Sequence, residues 1–249
     1  MPRLSTFWYQ TLSLLALLAI WQLAAMGLDS HALPSPLTVF DIMLTGLASG
    51  EIPYHVGITL ARVAVSFALA MLIGVAIGIA MGRARLLDRF FDSWLVLFLN
   101  IPALVTIILC YVWFGLIEAA AIAAVAVNKI PNVVVTVREG ARALDRDLLE
   151  MAESFRFGRA KTLRHVILPQ LFPFVVAASR SGLALIWKIV LVVELLGRSN
   201  GVGFQLYVFF QLFDVASILA YALAFIVVVQ LIELAGLQPL EARANRWRR

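Results

Sequence analysis

The chain has 249 residues, of which 62% are hydrophobic and only 14% are charged, and its formal net charge is +5. Soluble domains usually have about 45–50% apolar and about 25% charged residues, so the composition excludes an ordinary soluble domain. No nucleic-acid-binding motif accompanies the basic residues, so we expect no nucleic acid among the partners.

Six apolar segments are long enough to cross a membrane as helices. The stretch from Leu4 to Leu28, for example, contains no charged residue, and a helix needs about 20 apolar residues to cross a hydrocarbon core of about 30 Å. Lipid offers the backbone no hydrogen-bond partners, so helices are the expected form. The sequence therefore predicts an all-α, polytopic membrane protein, one domain over residues 1–249, with spans near 7–27, 59–82, 94–115, 119–137, 173–195 and 216–236. We expect the first span to be retained rather than removed as a signal peptide.

The first two spans are joined by a segment that we predict to be external. Leu33 and Ser35 each precede a proline, and a residue in that position avoids the helical region. From Thr38 to Leu47 the apolar residues recur at helical spacing, which predicts a short helix at the outer interface.

The distribution of basic residues predicts the orientation. Fifteen of the 20 Lys and Arg residues fall at the N-terminus, in the second-to-third and fourth-to-fifth connections and in the C-terminal tail, whereas the opposite side has only Arg198. Loops rich in Lys and Arg stay in the cytoplasm. Both termini and the long basic loop 138–169 are therefore expected in the cytoplasm.

Glycines and prolines within the spans allow two interpretations each. Gly74, Gly78 and Gly82 recur every four residues, a spacing that lets helices approach closely, either inside one subunit or between subunits. Pro102 and Pro131 each remove a backbone hydrogen bond and tend to kink their helix. Such a kink is either static or a bend that moves as a pathway opens.

Charged residues inside spans are candidates for a translocation pathway, because they are costly in lipid and normally face protein or water. The candidates are Lys129, Lys188 and Glu194. The two lysines are either held in buried pairs and carbonyl contacts, or they line a route for an anionic solute. Arg180, near the cytoplasmic end of its span, is expected to reach the interface.

The cytoplasmic loop has two apolar faces at helical spacing. Leu148, Leu149, Ala152 and Phe155 form one face, and Leu163, Val166 and Ile167 form the other, which fits two short helices separated by a turn. An apolar face on a cytoplasmic loop either docks a partner protein or lies against its own bundle.

This loop resembles the Glu-Ala-Ala (EAA) motif of ATP-binding-cassette importer permeases. Glu150 and Ala152 match the first and third positions of the motif, and Val166, Leu168 and Pro169 match its aliphatic-x-Leu-Pro ending. The resemblance implies that the loop docks into a cytoplasmic ATPase. The docking residues it implies are Leu149, Glu150, Met151, Ala152, Phe155, Arg156, Gly158, Leu168 and Pro169.

Two positions of the loop depart from the motif. Met151 replaces the middle alanine, and Arg156 occupies the position where the motif has glycine. Glycine suits a turn because it tolerates positive φ. We therefore expect either that Arg156 takes a right-handed conformation or that the turn has moved to Gly158.

Further motifs resemble the sulfonate, taurine, nitrate and bicarbonate branch of these permeases. They are Leu33-Pro-Ser-Pro36, Ser49-Gly-Glu51, Ser66-Phe67, Asn100-Ile-Pro102, Trp113-Phe-Gly115, Trp187, Glu194-Leu-Leu-Gly197 and Gly201-Val-Gly203. The segment 198–214 resembles the short outer helix that borders the pathway in this family. With the two prolines discussed above, the candidate gate or kink positions are Pro102, Pro131, Gly201 and Gly203.

The resemblance implies a multi-pass subunit of the bacterial inner membrane that imports a small solute by alternating access. It implies a homodimer embedded in lipid, two ATPase subunits that bind ATP and Mg²⁺, and an external solute-binding protein. The chain has no Walker loop and no paired carboxylates, Ser/His pair or metal motif in a span, so no catalytic, cofactor or metal site is expected in it. The alternative is an ATP-independent secondary transporter or channel, because such proteins have ionisable groups at mid-membrane.

Overall fold

The computed structural model describes residues 2–28 and 33–237, and the elements in them are helical. This confirms the all-α prediction. The helices are α1 (Pro2–Leu28), α2 (Pro36–Ala48), α3 (Glu51–Arg83), α4 (Arg85–Asn100), α5 (Ala103–Phe114), α6 (Glu118–Arg142), α7 (Arg146–Ser154), α8 (Arg159–Thr162), α9 (Leu168–Gly197), α10 (Val202–Gln211) and α11 (Val215–Ile232). π-Helical turns at Leu163–Ile167 and Glu233–Leu237 precede α9 and follow α11.

Four helical segments of the described chain are long and apolar enough to cross a membrane. They are α3, α6, the continuous run Arg159–Gly197 and the run Val215–Gly236, and they contain the second, fourth, fifth and sixth predicted spans. The first predicted span lies in α1, whose described apolar stretch Thr11–Gly27 is shorter and largely exposed. A crossing by α1 stays a prediction.

The third predicted span, 94–115, is not one continuous helix. The helix starts nine residues earlier, at Arg85, and breaks after Asn100, so that α4 and α5 meet at 96°. Pro102 lacks an N–H, and Ile101 before it takes extended angles, φ −71° and ψ 124°, as the residue before a proline prefers. The expected kink at Pro102 is therefore a complete break.

Together, the two helices α4 and α5 still reach from one end of α6 to the other. At one end Asp88 pairs with Arg142, and at the other the carbonyl of Leu116 accepts a hydrogen bond from Arg198, which pairs with Glu118. The 25 residues of α6 extend about 37 Å, which exceeds the thickness of the hydrocarbon core. Counted as one span, α4 and α5 make a fifth crossing.

The close packing of α3 on α6 explains the glycine series. Gly74 lies against Val133, and Gly78 lies against Val137 and the carbonyl of Val134. A side chain at either glycine would overlap α6. The glycines therefore serve packing inside one subunit, as the first of the two interpretations predicted.

Candidate functional site

Helix α7, in the loop predicted to be cytoplasmic, is fixed at its start and packed along one side. The Asp145 side chain accepts the Asp147 N–H at 2.9 Å and so caps the helix. Leu149 packs on the cluster of Ala141, Leu144, Ile167 and Leu171. Ala152 is only 1% exposed.

The other side of α7 is apolar and open. Leu148, Met151 and Phe155 are 40%, 39% and 72% exposed, and Glu150 is exposed beside them. The four residues predicted to form a single apolar face thus lie on two faces of α7, an inner face packed on the bundle and an outer face that is exposed. Ala152 belongs to the inner face. Of these two faces, the outer one is accessible to a partner protein.

The turn after α7 is built around Arg156. Its N–H donates to the Glu153 carbonyl at 2.8 Å, and the Phe157 N–H donates to the Ala152 carbonyl at 2.8 Å. These two bonds form a Schellman motif. Arg156 has φ +54°, so it adopts the left-handed conformation for which the motif uses glycine, and both conformations expected from the sequence are wrong.

The rest of the predicted docking loop lies around this turn. Gly158 has φ −66° and precedes α8, so it needs no glycine-specific conformation. At the start of α9, Leu168 and Pro169 are exposed. Val166 and Ile167 are buried, which places the second apolar face of the loop largely inside the subunit.

The three predicted pathway residues lie in three different environments. Lys188 is exposed and lines a groove of about 720 Å³ between α9 and α11, together with Arg180, Ser181, Gln230 and Glu233. An exposed charge in a membrane-spanning segment faces protein or water rather than lipid. This groove is therefore a candidate for a polar route.

Lys129 is enclosed within the subunit. Its side chain is 1% exposed and lies over Gly182 of α9, where any side chain would overlap it. Among the described residues it has no ion-pair or hydrogen-bond partner. The buried pair that the sequence suggested is absent there, and Lys129 does not line the groove that contains Lys188.

Glu194 sits in a buried charge network at the end of the bundle that is predicted to be external. It is fully buried, and its carboxylate accepts Arg62 Nη1 at 2.7 Å, Thr59 Oγ1 at 2.9 Å and the Gly203 N–H at 2.8 Å. A buried charge is tolerated when it is paired and hydrogen-bonded. The contacts join α3 to α9 and to the start of α10.

Arg62 extends the network to α6. Its Nε lies 2.5 Å from Glu118 Oε1, and Nη2 donates to Glu118 Oε2 at 3.0 Å. The Asn200 carbonyl and side-chain oxygens also accept from Arg62. Arg198, the one basic residue predicted to lie on the external side, pairs with Glu118 at 2.9 Å.

The two predicted gate glycines hold the loop before α10 against this network. Gly201 has φ +105°, and its N–H donates to His55 Nδ1 at 3.0 Å. A side chain at Gly201 or Gly203 would overlap Glu194. Both glycines are needed for a close approach to the carboxylate. At the other predicted bend, α6 continues through Pro131 to Arg142.

Sequence reasoning missed most of this network. It singled out Glu194 as a pathway candidate but did not connect it to Arg62. A signal was available, because an arginine within a span usually pairs with an acidic residue or with backbone carbonyls, and few acidic residues lie in or beside the spans. The contributions of His55, Thr59 and Asn200 depend on tertiary contacts that spacing does not show.

Comparison with known proteins gives a consistent picture. The family model described as "Binding-protein-dependent transport system inner membrane component" matches residues 70–236. The aliphatic sulfonates transport permease protein SsuC of Escherichia coli is 35% identical over 76% of this chain and 72% of its own length. The taurine transport system permease protein TauC of the same organism is 27% identical over 91% and 84%. Among solved structures, inward-facing MetNI methionine ABC transporter has a TM-score of 0.66 at 20% identity, over 76% of this chain and 94% of that chain, which supports the fold.

Proposed function

Since the chain belongs to the family of binding-protein-dependent transport system inner membrane components, we propose that it is the permease subunit of an importer for a small anion such as a sulfonate, taurine or nitrate. Two copies of the chain form the membrane pathway in the bacterial inner membrane. Two cytoplasmic ATPase subunits bind ATP and Mg²⁺, and an external solute-binding protein delivers the anion. Alternating access moves the anion inward. The names of the similar sulfonate and taurine permeases support this substrate class.

The observation that carries the proposal is the outer face of α7. It exposes Leu148, Met151 and Phe155, while the inner side of the same helix is anchored in the bundle. An exposed apolar patch on a well-anchored element is typical of a protein interaction site. The ATPase covers this face and transmits its movement through α7 to α9.

A charge placed on this face tests the docking. In the variant Phe155→Asp the carboxylate would be buried without a partner on docking, which costs at least several kcal/mol, and about 1.4 kcal/mol already lowers affinity tenfold. We expect the permease to remain in the membrane but to lose its ATPase on purification, with uptake falling in parallel.

The control is Ala160→Asp, which adds the same charge at an exposed position of α8, outside the α7 face. It should retain the ATPase. Wild-type recovery of the ATPase with Phe155→Asp would show that docking occurs elsewhere.

The groove beside α9 supports the anion route. Lys188 presents a positive charge there, and in the proposed homodimer the second permease copy would cover the open side of the groove. Replacing Lys188 by Met keeps most of the apolar stem and removes the charge. We expect Lys188→Met to abolish uptake in an assembled complex and Lys188→Arg to retain part of it.

The buried Lys129 provides the matched control, because it lies outside the groove. Lys129→Met removes the same charge and should leave uptake intact. Normal transport by Lys188→Met would exclude Lys188 from the route.

A further inference from the structure

An apolar groove lies between α4 and the packed pair α3 and α6. It has a volume of about 380 Å³, and its lining is apolar, including Met81 of α3, Phe91, Trp94 and Phe98 of α4, and Val134 of α6. Along α6 it extends from Val127 to Val134, a rise of about 10 Å. This length fits within one leaflet, about half of the 30 Å core.

The cytoplasmic end of this groove opens into a strongly basic pocket. The pocket has a volume of about 560 Å³, and Met81 lines both cavities, so they adjoin. Five arginines line it: Arg83, Arg85, Arg89, Arg142 and Arg146.

The pocket has one acidic residue, Asp88, and its charge is already neutralised. Asp88 pairs with Arg138 at 3.4 Å and with Arg142. By contrast, Arg83, Arg85, Arg89 and Arg146 form no ion pair or side-chain hydrogen bond among residues 2–28 and 33–237. The pocket therefore presents several exposed guanidinium groups that have no acidic partner within the described part of the chain.

The two cavities together define the shape and charge of their occupant. It has a long apolar part that enters the inner leaflet and an anionic head at the cytoplasmic surface. Basic pockets between transmembrane helices on the cytoplasmic side bind anionic lipid headgroups. A second copy of the chain fits less well, because its cytoplasmic connections are themselves basic and would repel the pocket.

We propose that this composite site binds one anionic phospholipid, with an acyl chain in the groove between α4 and α6 and the phosphate among Arg83, Arg85, Arg89 and Arg146. Because Arg146 and Leu149 of α7 line the same pocket, the headgroup also contacts the base of α7. Any effect of the bound headgroup on ATPase docking through α7 rests on the proposed function, whereas the lipid site itself does not.

The test titrates the purified full-length chain in detergent with phosphatidylglycerol or phosphatidylcholine of identical acyl chains and counts bound lipids by native mass spectrometry. We expect phosphatidylglycerol to bind at least about tenfold more tightly, because each arginine near the headgroup adds to the attraction. The double variant Arg85→Gln/Arg89→Gln should lose most of that preference. Ala80→Trp, which fills the groove at an exposed position, should displace the lipid with every arginine in place.

The matched control is Arg159→Gln/Arg164→Gln, which removes the same charge from exposed cytoplasmic positions outside the pocket. It should keep the preference for phosphatidylglycerol. Equal binding of the two lipids, or an equal loss in the control and in the Arg85/Arg89 variant, would overturn the proposal. If glycerol phosphate competed fully and Ala80→Trp had no effect, the pocket would be a free-phosphate site instead. If the Arg85/Arg89 variant lost the ATPase while phosphatidylglycerol binding was unchanged, the arginines would form part of the protein interface instead.

Discussion

Single residues in the spans could be singled out from the sequence, but their environments could not. Lys188, Lys129 and Glu194 stand out because charges in apolar segments are rare. The structure then places Lys188 in an open groove, Lys129 over Gly182 with no polar partner among the described residues, and Glu194 in a buried hydrogen-bonded network. The environment of each charged residue depends on which helices pack against it. The six-residue spacing between Lys188 and Glu194 along α9 does not show that packing.

The Arg62–Glu194 pair should dominate the stability of the end of the bundle in which it lies. Replacing Arg62 by Met leaves Glu194 fully buried without its cation, and breaking a buried pair costs about 3–5 kcal/mol. The thermal unfolding midpoint of Arg62→Met in detergent should therefore fall steeply. Glu118→Gln is the comparison, because Glu118 is 46% exposed and water replaces its contacts, so its midpoint should fall less. Equal midpoints for Arg62→Met and the native chain would contradict this account.

Arg156 should be a stabilising site for substitution. A non-glycine residue in the left-handed region costs about 1–2 kcal/mol, and Arg156 has φ +54°. Arg156→Gly should therefore resist proteolysis of the loop better than the native chain and keep its ATPase. Gly158→Ala, at φ −66° with open space around the position, should change little. Salt-sensitive loss of the ATPase in Arg156→Gly would show instead that the guanidinium contacts the partner.

At the scale of elements, periodicity and composition predicted segments that overlap α2, α6 and α9, and a short helix in the loop that contains α7. The angle between α4 and α5 escaped prediction, because a proline indicates an interruption but not its size. The bounds of α3 and α4 also reach beyond the apolar segments, and the first turns of α4 carry an acidic residue that pairs with α6. This residue, Asp88, is held by Arg138 and Arg142.

The α3–α6 interface predicts the effect of a larger residue. At Gly78 any side chain meets Val137 and the Val134 carbonyl, and overpacking costs about 1–3 kcal/mol. Gly78→Leu should lower the unfolding midpoint or prevent accumulation of folded protein. Ala76→Leu, two residues away and exposed, should be tolerated. Equal stability of the two variants would argue against direct contact of α3 and α6 at Gly78.

For the whole molecule, the distribution of basic residues predicted the orientation, and the structure places two clusters of charged residues at opposite ends of the bundle. The arginines near Arg85, which have no ion pair within the described part of the chain, meet the basic start of α7 at one end, whereas the Arg62 network lies at the other. The number of crossings depends on whether α4 and α5 form a broken span or a loop that returns to its own side. Their contacts at opposite ends of α6 favour the broken span.

Labelling from outside the cell distinguishes the two topologies. In a Cys110→Ala background, single cysteines replace Asp41 on α2, Arg159 on α8 and Ser199 before α10, all exposed positions. With a broken span, three crossings separate positions 41 and 159, so an impermeant maleimide added to whole cells should label 41 and 199 but not 159. A returning loop leaves two crossings, which places 41 and 159 on the same side, opposite 199. Labelling of 159 after permeabilisation is the control for its reactivity, and a shared pattern for 41 and 159 in whole cells would overturn the five-crossing arrangement of α3 to α11.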